Sequence, residues 1–163
     1  MFIGREEELN FLEDRYNSAD GQLIVLYGRR RVGKTELLRQ FCQDKEHIFY
    51  TCTEIIDEKQ LEAFSQRLLE KNQQAAKYIT RFSDWEQALL SISELAKEKK
   101  IVVVIDEFPY MVKGNNAIPS ILQKLWDEVL KQSNVMLILC GSAMSFIEKE
   151  VLAEKNPLYG RAT

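Results

Sequence analysis

Residues 22–35 read QLIVLYGRRRVGKT: an apolar, β-branched run that ends at Gly28, followed by a glycine-rich, basic loop. The run has the composition of a strand buried on both faces. Residues 28–35, Gly-Arg-Arg-Arg-Val-Gly-Lys-Thr, match G-x-x-x-x-G-K-[ST] in full. Phosphate oxygens need several donors converging on a small concave volume. Gly28 and Gly33 let the backbone turn tightly enough for successive N–H groups, including those of Arg29, Arg30, Arg31 and Val32, to point inward. A helix read from Lys34 to about Gln43, with Leu37, Leu38 and Phe41 inward, brings its positive dipole end to the same place. Lys34 can then set an ammonium on the β- and γ-phosphates, and the Thr35 hydroxyl can reach Mg²⁺, with Glu36 next along the helix. The side chains of Arg29, Arg30 and Arg31 either reach phosphate or pair with local acids.

Working outward, β-rich runs alternate with amphipathic segments. Leu9, Leu12 and Tyr16 share a helical face before the break at Gly21. A second strand is read at 47–52 (HIFYTC), then a helix from Glu58 to Asn72 carrying Leu61, Phe64, Leu68 and Leu69. Ser83 to Glu86 reads as a capping box opening a helix with Trp85, Leu89, Ile92 and Ala96 inward. IVVVI at 101–105 has the unbroken apolarity of a central parallel strand. Pro119 suits a first helical turn, with Leu122, Leu125, Trp126 and Val129 as the buried stripe. VMLILCG at 135–141 is the fourth strand, and a short helix is expected after Ser142. The alternation predicts an α/β fold: three α/β/α layers around a parallel sheet of about four strands, with ligands beyond the strands' C-terminal ends.

The third strand delivers Asp106 and Glu107 at its tip. Acids directly after a buried apolar run are expected at a functional edge, because carboxylates are not buried without partners. Asp106 is assigned to the Mg²⁺ shell, and Glu107 to orienting and deprotonating an attacking water. With the strand at 47–52 lying between the phosphate loop and these acids, the order is similar to that of the P-loop NTPase subdivision with an added strand and a catalytic Glu. No N-K-x-D guanine-reading motif and no arginine-rich lid after the acids is present.

The 163 residues carry 22 Lys+Arg against 25 Asp+Glu, a formal charge of −3, with 45% hydrophobic residues. That apolar content excludes a disordered chain, and no apolar run approaches the ~20 residues that span a bilayer. The acidic start, MFIGREEEL, does not read as a secretory signal. The balanced charge lends no support to nucleic-acid binding, which needs clustered Lys and Arg. Cys42, Cys52, Cys140 and His47 are too dispersed for a zinc site or a disulfide framework, so a reducing cytoplasm is expected.

Six segments together resemble the prokaryotic archaeal-ATPase-like family of AAA+ ATPases, near their STAND branch: FIGREEELNFL (2–12), YGRRRVGKTELL (27–38), VVVIDEFPYM (102–111), PSILQKLWDE (119–128), LILCGSAMSF (137–146) and NPLYGRAT (156–163). The resemblance covers essentially the whole chain. It implies that Phe2 to Arg5, with Ile3, Gly4 and Arg5 as contacts, lie against adenine, making ATP the nucleotide. It places Ser142 where a polar sensor stands, a position that serves equally as a helix N-cap. It offers Arg161 as a finger for a neighbouring subunit's γ-phosphate, against the plain reading of a solvated arginine. The family continues with a fifth strand, a helical lid and further domains. Residues 1–163 are therefore expected to be the N-terminal P-loop ATPase core of a longer protein, without that strand and lid, with a homo-oligomer or a downstream effector domain as partner. Two functions follow: an ATPase that turns ATP into ADP and phosphate, or a nucleotide-gated scaffold with negligible hydrolysis.

Overall fold

Residues 101–105 are apolar at every position, so the strand they form can be stable only with helices on both of its faces. The computed structural model, which describes residues 6–27 and 33–141, shows that arrangement. In chain order the elements are α1 (Glu6–Tyr16), β1 (Gln22–Tyr27), α2 (Lys34–Cys42), β2 (His47–Thr51), α3 (Asp57–Glu70), α4 (Gln73–Ala76), α5 (Trp85–Leu95), β3 (Ile101–Asp106), α6 (Phe108–Gly114), α7 (Ile118–Glu128), a 3₁₀ turn (Leu130–Gln132) and β4 (Val135–Gly141). The four strands are all parallel in the order β1-β4-β3-β2. Among the described residues β1 has the single neighbour β4.

Strand alternation divides the core into two layers. On one face Val102, Val104, Met136 and Ile138 pack with Leu12, Leu38 and Phe41 from α1 and α2. On the other, Val103, Ile105, Leu137 and Leu139 pack with Leu61, Phe64, Leu89 and Leu122 from α3, α5 and α7. Gly21 enters β1 against the 3₁₀ turn: its N–H donates to the Lys131 carbonyl at 2.9 Å, and a Cβ there would strike the Leu130 carbonyl oxygen. Glycine is required by that close approach.

Several local expectations are corrected. The cap of α5 is Asp84, not Ser83: an Asp84 Oδ1 accepts the Gln87 N–H at 2.8 Å. Glu86 instead reaches Lys124 on α7 at 2.8 Å. The helix read as Glu58 to Asn72 stops at Glu70, because Asn72 accepts the Ala75 N–H and starts α4. Val129 lies beyond the end of α7 and is half-buried, while Leu122, Leu125 and Trp126 are buried. The helix α6 had no counterpart in the sequence reading, since seven residues are too few to show a 3.6-residue period. Asp57 ties these helices together, accepting from Trp85 Nε1 at 2.7 Å and from Asn115 Nδ2 at 3.3 Å. The helix expected after Ser142 lies outside the described residues.

Candidate functional site

Parallel pairing puts the C-terminal ends of all four strands on one side. Tyr27 is in register with Gly141, and Thr51 with Asp106. The first turn of α2 starts at this side, directly after Gly33, whose φ of 82° is left-handed and suited to glycine. Lys34, half-buried, and Thr35, exposed, occupy that turn, followed by the exposed Glu36.

Asp106 is the organising group. It is 4% exposed, so its carboxylate needs partners, and they come from two directions. The Thr35 hydroxyl donates to Oδ2 at 3.1 Å, joining the helix after the phosphate loop to the third strand. The Glu107 N–H donates to Oδ1 at 2.9 Å. The Cys140 thiol on β4 lies within electrostatic reach of Asp106. Burial holds that thiol well above its ordinary pKa; the Asp106 charge adds to the effect and the Lys34 ammonium opposes it. Cys52, on the opposite flank, is likewise pushed up by burial first and by Asp106 second, while its N–H donates to the Asp106 carbonyl at 2.8 Å. Neutral thiols of this kind wall off a carboxylate without competing with it for charge.

Glu107 adopts φ 55° and ψ 40°, the left-handed region, as the N-cap of α6. A non-glycine residue there costs about 1–2 kcal/mol. The conformation lets the main-chain N–H turn back to Asp106 while the chain leaves β3 for α6. Replacement by glycine or alanine isolates that backbone cost, since both remove the carboxylate. Glu107→Gly is expected to be more stable than Glu107→Ala by about 1 kcal/mol in chemical denaturation, the reverse of the order inside a helix. Equal stabilities would show that the left-handed turn carries no strain.

The structure thus unites Gly33, Lys34, Thr35, Asp106 and Glu107 at one end of the sheet. Ile3, Gly4, Arg5, Gly28, Arg29, Arg30, Arg31, Val32, Ser142 and Arg161 lie outside the described residues. Sequence reasoning set Cys140 and Cys52 aside as too dispersed for a zinc site or a disulfide and missed their place beside Asp106. The available signal was their position at the ends of the second and fourth strands, which parallel register brings level with the third.

The donor set fits Mg²⁺. One carboxylate and one hydroxyl are hard oxygen ligands, and Mg²⁺ commonly binds through one or two protein oxygens while keeping waters and phosphate oxygens. Thr35 Oγ1 and Asp106 Oδ2 already converge.

Comparison with known proteins agrees with the geometry. A family model described as an ATPase domain predominantly from Archaea matches residues 2–163. An uncharacterized protein of Methanocaldococcus jannaschii is 37% identical over 163 residues, all of this chain and 34% of its own length. Among solved structures, the Walker-type ATPase of Pyrococcus abyssi aligns with TM-score 0.69 and 26% identity over 98% of this chain and 51% of its own. The Aeropyrum pernix ORC2 protein, solved in ADPNP–ADP complexes, aligns with TM-score 0.63 over 93% of this chain and 44% of its own; at 16% identity that likeness concerns the fold. The chain therefore spans about a third to a half of the length of these relatives.

Proposed function

This chain belongs to the family of ATPase domains found predominantly in Archaea, and from that membership we propose that it binds ATP with Mg²⁺ and hydrolyses it to ADP and phosphate. The observation that carries the reading is the Thr35 hydroxyl on Asp106 at 3.1 Å, which couples the helix after the phosphate loop to the strand that bears the acids. In the proposed mechanism the loop from Gly28 to Gly33 offers its main-chain N–H groups to the phosphates, and Lys34 adds a positive charge between the β- and γ-groups. Thr35 and Asp106 would hold Mg²⁺, which when bound neutralises charge on the phosphate oxygens. Glu107 would accept a proton from the attacking water, its main-chain N–H tied to the metal-binding acid through the left-handed turn. The resemblance adds Ile3, Gly4 and Arg5 on the adenine, Ser142 as sensor and Arg161 as a finger toward a neighbouring copy.

Whatever the longer relatives act on belongs to their whole chains. For this segment the role is that of a motor or switch module, with a second copy or an effector domain as partner. Of the described residues, no helix is long and apolar enough to cross a membrane.

The test is multiple-turnover phosphate release compared with equilibrium ATP binding, with and without Mg²⁺. Turnover that requires Mg²⁺ supports the ATPase reading. Tight binding with no release beyond one phosphate per chain would replace it with a nucleotide-gated scaffold.

A further inference from the structure

The last strand of the sheet, β2, has β3 on one side and an open groove on the other. In a parallel ladder, successive residues turn their N–H and C=O groups to alternate sides. The Glu46 carbonyl accepts from Val102 N–H at 3.0 Å, and the Cys52 N–H donates to Asp106 at 2.8 Å. Even-numbered positions of β2 thus face β3, and the main-chain groups of His47, Phe49 and Thr51 face the groove. Among the described residues no segment pairs with that edge.

The groove encloses about 310 Å³ and is walled by α2 on one face of β2 and by α3 on the other. From α2, the Arg39 guanidinium lies over the Phe49 ring, 4.3 Å from its centroid. From α3 come Arg67 and Glu70, and from its C-cap Lys71. Lining charges sum to +2 (three cations, one carboxylate) on a chain whose net charge is −3. Lys71 also pairs with Glu46 at 3.0 Å, which offsets part of that charge.

We propose that the β2 edge is a docking site for an extended acidic polypeptide segment of a partner protein, added as a fifth strand between α2 and α3. Strand addition draws affinity from main-chain hydrogen bonds and specificity from alternate side chains. Here the outward groups of His47, Phe49 and Thr51 provide the ladder. Carboxylates on the α3 side meet Arg67 and Lys71, and side chains on the other face lie along Phe49 and the stem of Arg39. A second copy of this chain does not suit the site. Edge-to-edge pairing of two β2 strands would bring both sets of arginines and lysines together, and like charges across strands are destabilising. The groove's chemistry is independent of nucleotide.

The test uses the full chain and a fluorescent, end-blocked nonapeptide alternating glutamate and valine. Binding is read by anisotropy, and amide hydrogen exchange by NMR. The acidic peptide is expected to bind saturably and to slow exchange at His47, Phe49 and Thr51 at least about tenfold, leaving the already bonded Ile48 and Tyr50 little changed. The same peptide N-methylated at alternate amides, in the phase that blocks its ladder, should not bind. The double variant Arg67→Glu/Lys71→Glu should weaken the acidic peptide at least about tenfold and admit the lysine–valine counterpart. No saturable binding at millimolar peptide would overturn the proposal, as would binding without protection at Phe49. Indifference to N-methylation in both phases, or to the charge reversal, would overturn it equally.

Discussion

Replacing Lys34 by alanine is expected to weaken ATP binding by about 100-fold or more, enough to remove tight binding altogether. Lys34 is the first residue of α2, immediately after the left-handed Gly33, so it stands where the helix dipole already favours anions. Its ammonium is the charged donor that the phosphate motif assigns to the two terminal phosphates. A hydrogen bond to a charged group is worth about 1.5–3 kcal/mol, and losing one that serves two phosphates falls at the upper end, where 2.8 kcal/mol is about 100-fold. The fold should be untouched, because Lys34 is half-buried at a helix start and alanine is the best helix former. Calorimetric titration with ATP decides the matter. Unchanged affinity in a folded Lys34→Ala protein would remove Lys34, and with it the phosphate-loop assignment, from the proposed site.

Glu107→Gln is expected to do the opposite: ATP still binds and turnover falls by about 10²–10⁴-fold, the usual contribution of a general base. Glutamine has the size and shape of glutamate and an amide in place of the carboxylate. The variant keeps the backbone N–H that donates to Asp106 at 2.9 Å, and so keeps that carboxylate oriented. What it loses is the ability to accept a proton from water. Steady-state phosphate release and ATP titration on the same preparation separate the two effects. Release at the parent rate would show that Glu107 is not the base; loss of binding together with turnover would show that its role is structural. Together the two variants distinguish grip from chemistry, as neither does alone.

The four strands and the long helices were legible because each is a contiguous pattern. Residues 101–105 are apolar at every position and are all buried. Leu61, Phe64 and Leu68 repeat at helical spacing and all face the core. Boundaries were less legible where two side chains compete for one cap. Ser83 and Asp84 are adjacent candidates, and only the direction in which the chain enters α5 selects Asp84. The helix α6 escaped because its placement comes from the turn at Glu107, not from any repeat of its own.

The candidate site divides along the same line. That Gly33, Lys34 and Thr35 are suited to a phosphate-binding turn follows from local chemistry, since glycine at the left-handed position, lysine and a hydroxyl are adjacent in the chain. So does the presence of two acids after a buried strand. That Thr35 meets Asp106, 71 residues away, depends on lateral strand order, which neither the two-residue period of a strand nor the 3.6-residue period of a helix encodes. The order β1-β4-β3-β2 arises because β3, apolar from Ile101 to Ile105, and β4, apolar from Val135 to Cys140, can be covered on both faces only at the centre. That order brings Cys140 against Asp106 and leaves β2 at the rim with its main-chain groups exposed to a basic groove. Local chemistry named the parts that can hold a phosphate; packing of the sheet decided which carboxylate faces them and which edge stays open.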